Sequence, residues 1–227
     1  MISRLRVVAA VSTALVLLAS PALATHSWNG YHWSSDNLAP TVTGETSLAE
    51  VPIVVGDWAE LGPNIQPTHT GSGSGDIKVV AKRGNPNWIG LAQIKIDSDG
   101  HIVEGKITLN SAYANYDNDN GTDNIWKHVL CQEVGHILGL QHSSADTCMN
   151  DAFETLGVYT TPGGHDDVQL NTIYDDHVDV VGGTSDPDDG AGGPDCTKNA
   201  NAKKCRTGAG QWITLHVFSM PAGAIGH

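Results

Sequence analysis

The sequence predicts an α+β fold, and three observations lead there. Residues 88–96 and 101–109 read as two strands joined through Asp97-Ser98-Asp99-Gly100, whose Asp-Gly is a strong hairpin signal. From Asp123, a good N-cap, the apolar residues Ile125, Val129, Leu130, Val134, Ile137 and Leu138 recur at approximately helical spacing up to Gly139. That glycine can take the left-handed conformation that ends a helix. A second helix is expected over residues 165–177, with Val168, Ile173 and Tyr174 on one face.

The remaining elements are less regular. Residues 46–59 suit an irregular first helix despite Pro52, and 76–82 (DIKVVAK) reads as a strand after the flexible Gly-Ser run at 71–75. Residues 181–195 (VGGTSDPDDGAGGPD) have linker composition. Beyond them lie Cys196, Cys205 and a further strand pattern at 212–218 (WITLHVF).

The first 24 residues carry Arg4 and Arg6, an apolar run from Val7 to Ala19, and Ala22-Leu23-Ala24, the pattern of a secretory signal cut after Ala24. That run is shorter than the ~20 residues a membrane span needs. The chain is therefore read as an exported protein with no membrane span: residues 1–24 as signal, 25–180 as the main domain, 181–195 as linker, and 196–227 as a small disulfide-bearing C-terminal extension.

A formal net charge of −13 argues against nucleic-acid and anionic-membrane partners. Neither Lys nor Arg occurs between Lys127 and Lys198, a stretch rich in Asp and Glu that is read as a solvated acidic face. Calcium would suit that charge, but no recognisable loop supports it. Counting twelve positions from Asp97 or Asp117 reaches Thr108 or His128, where a calcium loop needs a bidentate Glu. Four cysteines in an exported chain suggest two disulfides. Proximity in sequence favours Cys131 with Cys148 and Cys196 with Cys205, and no C-x-x-C spacing points to a cysteine metal site.

The chemistry concentrates in CQEVGHILGLQHSSADTCM, Cys131 to Met149. Gln132 and His136 lie one helical turn apart on the same face. The break at Gly139 lets His142 reach the same point, which a continuous helix would prevent. Glu133 is rotated by about 100° from Gln132 and is placed over a water rather than on an ion. Three protein ligands with one open position make a catalytic zinc site; Gln132, His136 and His142 are the expected ligands and Glu133 the general base. His128 is eight residues from His136, roughly 12 Å along the axis, and is expected at the surface or in a capping role. His26, His32, His69, His101, His165, His177 and His216 are scattered and receive no role in the chemistry. Ser143 and Ser144 lack the surroundings of a nucleophilic serine.

The run from Gln132 to His142 resembles the metzincin signature H-E-x-x-H-x-x-G-x-x-H in all but its first letter, and is most similar to the secreted bacterial matrixin-like branch. The resemblance implies a twisted mixed sheet packed on the active-site helix, a second C-terminal helix, and Met149 as a structural Met-turn beneath the metal. It also implies zinc as cofactor, no other cofactor-binding site, and a peptide or protein substrate bound in extended form. Trp88 to Ile94 is similar to the family's edge-strand segment, with Gln93 where a histidine is usual; a peptide adding to residues 91–96 is the expected binding mode. No cysteine precedes Cys131, so a cysteine-bearing inhibitory prodomain is not expected. The reading is thus a secreted zinc endopeptidase. Its alternative is a non-catalytic binding protein of the same fold whose metal site is weakened at Gln132.

Overall fold

The structure is a computed structural model and describes residues 30–113, 124–174 and 212–219, apart from 46, 72, 86, 153 and 154. The expected signal (1–24) and linker (181–195), residues 117–121, Asp123, Cys196 and Cys205 lie outside those residues. Along the chain run β1 (His32–Trp33), β2 (Thr41–Gly44), α1 (Glu50–Ala59), β3 (Thr68–His69), β4 (Ile77–Lys82), β5 (Trp88–Ile96) and β6 (His101–Asn110). They are followed by α2 (Ile125–Ile137), α3 (Gly164–Tyr174) and β7 (Trp212–Ser219).

All seven described strands join one mixed sheet in the order β3-β2-β4-β6-β5-β7, with β1 pairing to β6. The β2/β4 and β4/β6 pairs are parallel, and the first is connected through α1, as parallel neighbours require. The β5/β6 hairpin turns on Asp97, whose Oδ1 accepts from the backbone N–H groups of Asp99 and His101, both at 2.9 Å. Along β5, Gly90, Ala92, Ile94 and Ile96 turn inward while Leu91, Gln93 and Lys95 turn outward, the alternation of a strand buried on one face.

Helix α1 buries Val51, Val54, Val55 and Trp58, a stripe at helical spacing. Pro52 is harmless because it sits in the first turn, where its missing N–H would have had no partner in the helix. Helix α2 packs across β5, β6 and β7 and against α1. Its N-cap is Asn124, at φ 95°, a conformation that asparagine tolerates better than most residues. Two tryptophans hold α2 by its carbonyls: Trp58 Nε1 donates to Cys131 O and Trp33 Nε1 to Ile137 O, each at 3.0 Å. Tyr174 of α3 caps the far end, its hydroxyl donating to Leu138 O at 2.9 Å and accepting from Trp33 N at 3.2 Å.

Three expectations need correcting. Val168 of α3 points outward at 53% exposure, and the buried residues there are Asp166, Gln169, Leu170 and Tyr174. His128 is not at the surface; it is fully buried in α2, with its ring edge-to-face on Phe218 of β7 at 6.1 Å. Lastly, β5 is not an edge strand: β7 pairs antiparallel along it from Lys95↔Trp212 to Trp88↔Ser219. A segment read as a peripheral extension is part of the sheet, because its apolar alternation completes the face that β5 and α2 leave open.

Burial lowers the His128 pKa to about 4; backbone groups of Asn150 and Tyr159 pull the other way, though neither ring nitrogen reaches a partner at hydrogen-bonding geometry. The unfolded chain takes up this proton first, near 6.5, so folding stability is full above that pH and is lost as pH falls toward 4. The loss is of order 3 kcal/mol. Urea midpoints at pH 7 and 4.5 in chelator should show His128→Leu with a flatter acid limb than wild type. An unchanged limb would mean that His128 does not stay neutral.

Candidate metal centre

The centre is built on the last two turns of α2 and the reversal that follows. Gly139, at φ 101°, is where the backbone turns back; a Cβ there would also lie 2.8 Å from Tyr31 O. The reversal carries Leu140 O to His136 Nδ1 at 2.8 Å. A carbonyl can only accept, so Nδ1 carries the proton and Nε2 presents a lone pair. His142 follows, with Nδ1 at 3.0 Å from Asp151 Oδ2, which fixes the same tautomer. The two Nε2 atoms then lie 3.1 Å apart.

Two lone pairs facing each other at that distance repel unless a cation lies between them. Tetrahedral zinc with Zn–N of about 2.0–2.1 Å sets its ligand nitrogens roughly 3.3 Å apart, so the pair fits such an ion. Burial foremost, then the neighbouring rings of His216 and His142, holds the His136 pKa well below 6.5. Burial likewise lowers that of His142 to about 4, with Asp151 opposing. Both imidazoles are therefore neutral, the ligating form, at neutral pH.

The third member is a residue to which the sequence assigned no role. His216 of β7 brings its ring centroid to 4.5 Å from that of His136 and 4.6 Å from that of His142. One ring nitrogen from each of the three lies within 4.8 Å of the others, a set able to hold a metal ion. His216 Nδ1 is 3.0 Å from Glu133 Oε1. Local sequence held no signal for this, since His216 is 74 residues beyond His142 and only the pairing of β7 with β5 brings it in.

Glu133 is fully buried, and its second oxygen, Oε2, has no partner among the described residues. It fits because β5 carries Gly90 opposite: a Cβ there would fall 2.6 Å from Oε1. Gln132 is also fully buried, with neither amide atom hydrogen-bonded among the described residues. Met149 packs under the helix, where a Cβ on Gly135 would collide with its sulfur and lie 2.8 Å from Trp58 Cζ2.

Cys131 and Cys148 are joined, tying α2 to the Met149 loop across a separation of 17 residues. By loop entropy such a bond is worth about 3 kcal/mol. The Cys131→Ser/Cys148→Ser double variant should unfold at clearly lower temperature and bind zinc more weakly. Unchanged zinc affinity would show that the bridge does not organise the site.

A second cluster, Asp97, Asp99 and His101, lies at the hairpin turn. There Asp97 is already engaged with the backbone of the turn. Among the described residues no helix is long and apolar enough to cross a membrane.

No protein-family model matches the chain, and no curated protein matches it either. Among solved structures it is similar to that of myroilysin, with 13% identity over 67% of this chain and 99% of that one, at a TM-score of 0.42. At that score the likeness carries no weight, and the chemistry rests on the residues themselves.

Proposed function

We propose that the protein is a secreted zinc-dependent endopeptidase with Glu133 as general base. The observation that carries this reading is the facing pair of His136 and His142 Nε2 atoms, 3.1 Å apart beside a buried carboxylate with one unpartnered oxygen. His136 and His142 would hold the ion, with Gln132 one turn before His136 on the same helix. When bound, zinc would acidify a water and polarise the scissile carbonyl.

The chain's own groups do the rest. Glu133 Oε2 takes the proton of the attacking water and returns it to the leaving amine, so no covalent intermediate is needed. Burial of Glu133 behind β5 keeps bulk water from that oxygen. Leu140 O and Asp151 keep the two imidazoles in their ligating tautomers. Met149 and Trp58, wedged under Gly135, stop the helix from sinking away from the site.

A second reading, a non-catalytic binding protein of the same architecture, is favoured by two observations. Glu133 Oε1 is engaged by His216, and the edge of β5 is already paired. Metal analysis of the purified chain with a peptide-cleavage assay on wild type and Glu133→Gln separates the two. Zinc with cleavage that Glu133→Gln abolishes supports the enzyme; zinc without cleavage leaves the binding protein.

A further inference from the structure

We infer that His216 is the third strong donor of the metal centre, and that the C-terminal strand is therefore docked by the ion it helps to bind. This rests on the proposed metal site, but not on peptide cleavage.

Position 132 offers a neutral amide, a poorer donor than imidazole to an ion of zinc's character. The site needs a third nitrogen, and β7 is shaped to bring one. Its pairing with β5 slips by one residue: Ala92 faces His216 while the next residue, Gln93, faces Thr214, leaving Leu215 as the extra residue. A bulge of this kind re-aims side chains. Leu215 and Phe218 are both buried although three apart, which strict two-residue alternation would not allow. After the bulge, His216 and Phe218 both meet α2, the first at Glu133 and the second at His128.

The Glu133 carboxylate then does for His216 what Leu140 O and Asp151 do for the other two rings. It accepts from Nδ1 and so leaves Nε2 as the ligating atom. Three imidazoles, each oriented by an acceptor on its other nitrogen, is the arrangement in which metal-binding histidines are ordinarily held. Gln132 is left as no more than a weak oxygen donor. The centre spans residues 136 to 216, and the edge of β5 is closed whenever it is complete, so an incoming peptide must use another edge.

The test is zinc affinity, by competition with a chromogenic chelator, together with hydrogen exchange of the amides of 212–219 in the full chain. His216→Ala should weaken zinc binding by at least about 100-fold, whereas Gln132→Leu should cost less than tenfold. Zinc should slow exchange across β7 in wild type. His216→Phe, which keeps a ring on the strand should the alanine variant fold poorly, should lose zinc affinity as His216→Ala does and show no zinc-dependent slowing. Wild-type affinity in either His216 variant, or exchange in β7 indifferent to zinc, would overturn the inference. Zinc held through His216 without peptide cleavage would instead remove the enzymatic reading and leave this one standing. Cleavage by a zinc protein indifferent to His216 would do the reverse.

Discussion

Glu133→Gln is expected to keep zinc and to lose cleavage by about 10²- to 10⁴-fold, the range a positioned general base supplies. A glutamine oxygen can still accept from His216 Nδ1, so the third imidazole keeps its orientation while the proton acceptor is gone. Glu133→Ala should differ in kind. It removes the acceptor that orients His216 as well as the base, and loss of such an orienting partner typically costs 10- to 100-fold in metal affinity. Zinc titration beside initial cleavage rates resolves the two. If Glu133→Gln cleaves as wild type does, Glu133 is not the base.

The second large effect is on folding. Trp58 is fully buried, donates to Cys131 O at 3.0 Å and lies beneath Gly135 next to Met149. Trp58→Ala should destabilise the chain by about 3–5 kcal/mol through lost packing and the cavity left behind. The Cys131 carbonyl lies within α2 and keeps its helical N–H donor, so the lost indole hydrogen bond adds about 0.5–1.5 kcal/mol. For a marginally stable domain that is a large share of the total. Trp58→Phe, which keeps most of the ring volume, separates the two contributions. Urea unfolding in chelator provides the measurement, and a loss below about 2 kcal/mol in Trp58→Ala would show that α2 does not depend on this clamp.

What could be read in advance followed the range of the interactions involved. The β5/β6 hairpin was legible because its signal, Asp99-Gly100 between alternating apolar residues, is local. Helix α2 and its end at Gly139 were legible for the same reason: apolar spacing and one glycine state them within fifteen residues. The strands β1, β2 and β3 were not. They have two to four residues each and exist through parallel pairing with distant partners, β2 with β4 across α1 and β1 with β6. Val168 faces outward from α3 despite its apolar side chain, since hydrophobicity alone does not fix which face of a short helix packs. The packing there is carried instead by Asp166, whose carboxylate accepts from Thr147 and from Gly163 N, and by Tyr174.

In the candidate centre the same division holds residue by residue. That Glu133, His136 and His142 share one neighbourhood is determined by sequence alone, since a helical turn and one left-handed glycine leave the chain few other courses. That Cys131 meets Cys148 follows from equally short range. That His216 joins them, and that β5 has no open edge, was decided only in three dimensions. A strand's place in a sheet depends on which partner's backbone groups and apolar face remain unsatisfied, and no property of residues 212–219 taken alone names β5 as that partner or predicts the slip at Leu215 that turns His216 toward Glu133.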